Sequence, residues 1–411
     1  MLSVDEARAT ILGAVQPRGA ETVPFARAAG RVLAEDLLAE TPVPPFIQSA
    51  MDGFAVRAAD TRDALTDHPI ALRILGTVGA GHLAPWRLTA GTAVRIMTGA
   101  PIPEGADAVV RREDTEFDGD AVQIFRPASP REYVVFPGRD IPQGALLLRG
   151  GDVITAGAVG LLASLGRTQV PVFKRPRIGV LALGDELIPP EAPLQPGQIR
   201  VSNLYTIEAS ITRYGGEAIT LGIASDRLEM IQAALERAQD ADVLLTLGGS
   251  QRGDFDLVHE VLSAPRGELI FREIGVNYAR SMIFGHFGRI PFFGLPGSPM
   301  TSFVAFEAFV RPALWKLAGR RILEWPRVEA LLSQPLPAAT ARALFHPVWV
   351  EARTEGLIAT PLRLEKAADL PPQALANGLI YCAAESPACP AGARVWVNLL
   401  EAVGTSQTMG G

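Results

Sequence analysis

Hydrophobic and polar positions along the chain change rhythm several times, and each change marks a different kind of structure. Between Pro176 and Gly319, uninterrupted apolar runs alternate with segments of helical spacing. Ile178–Leu183, Ala218–Gly222, Val243–Leu247, Leu269–Ile274 and Ile290–Phe293 read as strands. Leu204–Tyr214, Arg227–Gln239, Phe255–Ser263 and a last segment running from Pro299 to Leu317 read as helices. Strands alternating with helices predict a doubly wound α/β domain. Asn203, Asp226 and Asp254 are the expected N-caps, Gly215-Gly216 a stop signal, and Ser298 before Pro299 the cap and first residue of the last helix.

The remainder follows other rhythms. Val4 to Val15 has helical spacing, with Ser3 and Glu6 forming a capping box. Phe25 to Leu38 reads as a second short helix running into a strand. From Ile70 to Val172, short apolar runs separated by Gly, Pro and Asp clusters predict a β-rich module, interrupted by one helix from Ala156 to Leu165. After Arg327 five further β-like runs suggest a small barrel or sandwich, ending in a frayed tail from Thr405. The expected organisation is a multidomain α/β plus β chain. It has a mixed, elongated N-terminal domain (1–48 and 138–172), an inserted β-rich domain (49–137), an α/β domain (173–322) and a C-terminal β-barrel (323–411).

At 411 residues the chain is long enough for two to four domains. With 48% hydrophobic and 20% charged residues it is globular, and its net charge of −6 argues against nucleic acid as the main partner. Cys382 and Cys389 are the only cysteines, so there is no disulfide framework, and the five histidines show no metal-ligand spacing. Neither a signal peptide nor a membrane span is visible, so a cytoplasmic protein is expected.

Candidate chemistry gathers where strands end. Gly184-Asp185-Glu186, Gly248-Gly249 and Gly294-Leu295-Pro296-Gly297-Ser298 each follow an apolar strand, the place where open α/β sheets bind ligands. Glycines let backbone approach a phosphate, helix starts favour anions, and carboxylates there suit a hard cation such as Mg²⁺. Singly, each has a plainer reading: Asp185 and Glu186 as turn formers, Asp254 and Ser298 as caps, Asp52-Gly53 and Thr98-Gly99 as ordinary turns.

Together, six segments form one ordered set: Ser49–Val56 (SAMDGFAV), Arg95–Val110 (RIMTGAPIPEGADAVV), Gly138–Ile141 (GRDI), Gly184–Leu187 (GDEL), Gly248–Asp256 and Gly294–Pro299 (GLPGSP). The chain resembles the molybdopterin molybdenumtransferase family, MoeA and the E-domain of gephyrin, from about Leu2 to about Leu400. The resemblance implies insertion of molybdate into adenylylated molybdopterin with Mg²⁺ and release of AMP, by an elongated homodimer. In that family the site lies between the α/β domain of one subunit and the SAMDG and MTGAP region of the other. By resemblance, Asp52, Thr98, Asp140, Glu186, Asp226 and Asp256 are catalytic, and Asp185, Glu186 and Asp256 bind the metal. Gly184, Gly248, Gly249, Ser250, Arg280, Gly294, Pro296, Gly297 and Ser298 would cradle phosphate and pterin. The implied protein partners are the molybdopterin adenylyltransferase or a molybdoenzyme acceptor.

The chain departs from the family on the cationic side. Where the family has K-P-G-K-P, it reads Asn277-Tyr278-Ala279-Arg280-Ser281, and its three lysines, Lys174, Lys316 and Lys366, all lie elsewhere. Arg280, Arg252 or Arg200 is the expected substitute cation. The alternative expectation is a relative that binds molybdopterin or a partner protein without turnover.

Overall fold

The computed structural model describes residues 1–249, 257–364 and 369–405. Its contacts divide the chain into one unit of Met1–Glu35, Gly150–Val159 and Gln169–Gly411, and a second of Asp36–Arg149 and Gly160–Thr168. No helix among the described residues is long and apolar enough to cross a membrane.

The second unit carries the β-rich sheet. Its strands are β1 (Gly53–Val56), β2 (Ile70–Val78), β3 (Thr92–Ile96), β4 (Ala108–Arg111), β5 (Thr115–Asp118) and β6 (Ala121–Ile124), in the order β4-β1-β3-β2-β6-β5. Only β2 and β3 run parallel. Alternate residues fill the two faces: Phe54 and Val56 join Leu72, Val110 and Ile124 on one side, while Ala55 joins Val78, Val94 and Val109 on the other. The β1 strand is one that periodicity misses, because four successive buried residues show no alternation. Its pairing explains the glycine of the SAMDG segment. Gly53 lies so close to the Val110 carbonyl that a Cβ would collide with that oxygen.

In the first unit the α/β sheet comprises β7 (Arg177–Leu183), β8 (Glu217–Ala224), β9 (Val243–Leu247), β10 (Gly267–Phe271), β11 (Ile283–Phe287) and β12 (Ile290–Leu295). The order is β8-β7-β9-β12-β11-β10. The first four are parallel, and β11 and β10 add antiparallel strands at one edge. Alternation sends Ile178, Val180 and Ala182 toward the Ser202–Arg213 helix on one face, and Leu181 and Leu183 toward the Leu228–Glu236 and Leu257–Ser263 helices on the other. The predicted doubly wound domain is therefore present, with helices on both faces.

The barrel is closed. Strands β13 (Arg327–Leu332), β14 (Leu344–Arg353), β15 (Gly356–Pro361), β16 (Gly378–Cys382) and β17 (Arg394–Leu399) run β15-β13-β17-β16-β14, and β14 pairs back to β15. Closure leaves no free edge among these five strands.

Near the N-terminus the Val4–Ala14 helix has the predicted capping box, with Glu6 N–H donating to Ser3 Oγ at 3.2 Å and Ser3 N–H to Glu6 Oε2 at 2.8 Å. The expected helix after Phe25 is instead a single 3₁₀ turn, Phe25–Arg27. Gly30 then takes φ +76°, and Val32 and Leu33 bridge to Val153 and Val172, so the chain is extended where a helix was expected. The helix expected from Ala156 is present as Ala156–Ser164.

The final helix reaches Leu317 as predicted, but in three pieces: Pro299–Ala305, a π turn at Phe306–Val310, and Arg311–Leu317. Pro312 has no N–H to give the Ala308 carbonyl one turn back. Arg8 Nε supplies that donor instead, at 2.9 Å.

Replacing Gly53 by Ala is expected to destabilise the β-rich unit at the upper end of the roughly 1–3 kcal/mol that over-packing costs. Chemical denaturation followed by circular dichroism checks this, and a wild-type midpoint would refute the packing role given to Gly53.

Candidate functional site

The strand order reverses direction beside β7, since β8 lies on one side of it and β9 on the other. Such a switch point leaves a crevice beyond the carboxyl ends of the strands. A cavity of about 430 Å³ occupies this place, lined by Gly184 and Glu186 after β7, Gly248 and Gly249 after β9, and Gly297 and Ser298 after β12. Two glycines make the loops fit. Gly248 has φ +97°, and a Cβ there would stand 2.7 Å from the Leu183 carbonyl oxygen. A Cβ on Gly297 would lie 3.4 Å from Gly248 Cα, so the second and third loops touch through bare backbone.

One wall is acidic. Asp226 N–H donates to Asp185 Oδ1 at 3.2 Å, and Asp226 and Glu186 both line the cavity. Burial, and then the charges of Asp185 and Glu186, push the Asp226 carboxyl above its ordinary value. Glu186 folds over its neighbour: a Cβ on Gly184 would lie 2.5 Å from Glu186 Oε2. The expected capping role of Asp226 is not what forms, because the helix starts at Leu228 with Arg227 at the cap position and no side-chain cap.

Beside it stand groups whose roles differ from those expected from the sequence. The Leu187–Ile188 and Ile199–Arg200 ladder brings Arg200 to the cavity, where its Nε donates to the Pro190 carbonyl at 2.8 Å. The next helix begins at Ser202, two residues before the expected Leu204, so Asn203 sits inside the first turn and is not its cap. Asn203 Nδ2 donates to the Gly297 carbonyl, fixing the amide against the third loop. Asn203 is 9% exposed, lines the cavity, and its Oδ1 meets no donor among the described residues. A buried acceptor left without a donor is uncommon in a folded protein and marks this residue for a role. The signal for this was the Arg200-Val201-Ser202-Asn203 run following the Gly197 turn.

Other predicted residues fall elsewhere. Ser298 stands at the cap position of the last helix and lines the cavity, but its side chain makes no capping bond. Pro296 is buried, and Gly294 is a packing glycine in β12, where a Cβ would meet Val258 Cγ1 at 2.8 Å. Arg280 is not among the lining residues and pairs with Glu273 at 3.6 Å. Tyr278 does not line it either. Ser250, Arg252, Asp254 and Asp256 lie outside the described residues.

In the second unit, the SAMDG and MTGAP segments are stitched together. Ser49 N–H donates to Ala100 O at 2.9 Å and Gly99 N–H to Ser49 O at 2.8 Å. Asp52 Oδ1 accepts both the N–H and the hydroxyl of Thr98, each at 2.7 Å. These two bonds, with Arg112 and Arg95 nearby, hold the Asp52 carboxyl below its usual range. Asp140 lies on an exposed turn, its N–H donating to Val43 O at 3.0 Å.

An α/β domain with a switch-point cavity, joined to a β-rich unit and a closed barrel, defines the class. Residues 2–166 match the MoeA N-terminal region (domain I and II), and residues 179–316 match the probable molybdopterin binding domain. The chain is 34% identical to a Bacillus subtilis molybdopterin molybdenumtransferase over 97% of its own length and 94% of that protein's. It is 34% identical to a Haemophilus influenzae molybdopterin molybdenumtransferase, covering 87% of this chain and 88% of the relative. Among solved structures, a molybdopterin biosynthesis moea protein from Pyrococcus horikosii superposes with a TM-score of 0.85 at 32% identity, covering 98% of this chain and 100% of that one. The chain belongs to the molybdopterin molybdenumtransferase family.

The raised Asp226 carboxyl yields a prediction with a definite sign. A carboxyl whose folded pKa exceeds its ordinary 3.8 favours folding only while protonated, so stability falls as pH rises through the folded value. Asp226→Asn is therefore expected to melt at a higher temperature than wild type near neutral pH, with the gain shrinking toward about pH 4. Thermal melts across that range check it; a lower melting temperature at neutral pH would contradict the crowding of carboxylates.

Proposed function

We propose that this chain inserts molybdate into adenylylated molybdopterin and releases AMP, as a homodimer built on the four domains expected from the sequence. The observation that carries the reading is the switch-point cavity, which gathers acidic residues, Arg200 and Asn203, whose buried Oδ1 meets no donor among the described residues. Asn203 Oδ1 would accept an N–H from the pterin. The bare backbone at Gly248, Gly249 and Gly297 lets a phosphate approach closely, and Arg200 offsets part of its charge. Asp52 and Thr98, already bonded to one another, are proposed as residues that act on the substrate.

Magnesium is the metal this reading includes. Among the described residues, no three His, Cys, Asp or Glu side chains form a complete metal group. The oxygen chemistry of the acidic wall nevertheless suits a hard cation, and the mutual repulsion felt by Asp226 is what such an ion relieves. Asp185, Glu186 and, by resemblance, Asp256 would hold it. Bound there, magnesium would neutralise charge on the phosphate and its leaving group.

A second reading, binding without turnover, is favoured by one observation: Arg280, in the segment where the family carries lysines, pairs with Glu273 outside the cavity lining.

Purified protein mixed with adenylylated molybdopterin, Mg²⁺ and molybdate is expected to release AMP in a molybdate-dependent way. Asp52→Ala and Glu186→Ala are each expected to reduce that release by about a hundredfold or more, the scale at which positioned acid–base and electrostatic groups act, with the fold intact by circular dichroism. Arg200→Ala is expected to weaken substrate binding more than it slows turnover. Tight substrate binding with no molybdate-dependent AMP from wild-type protein would transfer support to the second reading.

A further inference from the structure

A larger cavity, about 520 Å³, lies in the same unit among the Val4–Ala14 helix, the Arg311–Leu317 helix and the barrel, and shares no lining residue with the first. Arg8, Arg311, Trp325, Phe345, Tyr381 and Trp396 form much of its wall. Arg311 is 1% exposed and is held between the Trp315 and Trp325 rings, at 4.0 and 4.3 Å from their centroids. The Arg8 guanidinium lies 5.0 Å from the same Trp325 ring and 5.8 Å from Phe345. Two guanidiniums thus share one aromatic wall.

Their hydrogen bonding is incomplete. Arg8 Nη2 and Arg311 Nη1 are shielded from solvent, and among the described residues neither meets an acceptor. The buried carboxylate beside them, Glu307, already accepts from Tyr214 at 2.8 Å and Trp325 Nε1 at 3.4 Å, and pairs with Arg311 Nε at 3.4 Å. One carboxylate against two guanidiniums leaves a positive excess where the dielectric is low, a costly arrangement unless an anion joins it. Burial pulls Arg8 below its ordinary value and Arg311 down to about 10, in keeping with that excess. Asp5 and Glu324, which favour the charged form of Arg8, also line the cavity, but both are exposed and screened by solvent, as is Arg327, stacked on Trp396 at 5.3 Å.

We propose that this cavity binds a small organic anion: a flat aromatic or heterocyclic body bearing one carboxylate or sulfonate. The anionic group is drawn to the Arg8 and Arg311 guanidiniums, and the body lies against Trp325, Phe345 and Trp396. The size suits it, since pockets for such ligands span about 300–1,000 Å³ with mostly apolar walls and a few convergent polar groups.

The full chain titrated with 1-anilinonaphthalene-8-sulfonate, an aromatic sulfonate of this description, is expected to show saturable binding. Indole-3-acetate is expected to displace the probe, whereas the uncharged indole-3-acetamide is not. Arg8→Met, which removes a charge-assisted hydrogen bond, is expected to weaken probe binding about tenfold or more. Trp396→Ala, at a half-exposed ring that little else rests on, is expected to weaken it without disturbing the fold. Neither variant is expected to alter AMP release, so the outcome is separable from that of the transferase assay. Cys382 and Cys389, the chain's two cysteines, both line the cavity, so bound indole-3-acetate is expected to slow their labelling by a thiol reagent. Equal displacement by acid and amide, unchanged binding in folded Arg8→Met and Trp396→Ala, or unprotected cysteines would overturn the proposal.

Discussion

The site depends on a close approach of backbone to backbone. The loops after β7, β9 and β12 converge because Gly248 can take φ +97° under the Leu183 carbonyl and because Gly297 leaves room for Gly248 Cα. A side chain at Gly248 would meet both a disfavoured conformation and a carbonyl oxygen, and would push the loops apart. With the loops together, the ends of the four parallel strands, the Ile199–Arg200 strand and the start of the Ser202–Arg213 helix border one cavity. Everything chemical about that cavity follows from what these segments carry.

What they carry is unequal. Asp185, Glu186 and Asp226 gather at the strand ends, where burial and then the neighbouring charges raise the Asp226 carboxyl, while Arg200 is the cation among the lining residues. The repulsion of like charges is tolerable because the sheet beneath packs apolar residues on both of its faces. A fold can hold such a cluster when burial elsewhere is large, and clusters of that kind are where binding and catalysis are found.

A second dependency links the N-terminal helix to the α/β domain. Pro312 lacks a helical donor, the helix carries a π turn just before it, and Arg8 Nε donates to the Ala308 carbonyl. That one bond draws a guanidinium into an aromatic wall already holding Arg311. A local backbone irregularity is thereby converted into an unusual concentration of positive charge in a largely apolar space.

Much of this was legible in the residues themselves. The alternating apolar runs announced the α/β sheet, the Ser3 and Glu6 pair announced the first helix, and the glycine clusters marked the strand ends, because such signals are local and depend on periodicity and cap chemistry alone. Other features were invisible to that reasoning. Nothing local distinguishes a cap from a first-turn residue, so Asn203 was read as a cap; only its bond to Gly297, 94 positions away, shows otherwise. Asp226 likewise acquires its character from Asp185 and Glu186 across the sheet ends. Gly53 looked like half of a turn until β1 was seen against Val110. The sequence by itself determined the elements of the α/β sheet, the fold class and the family. Tertiary structure alone decided which polar atoms were left buried without a partner, since that depends on which distant segments the fold brings into contact.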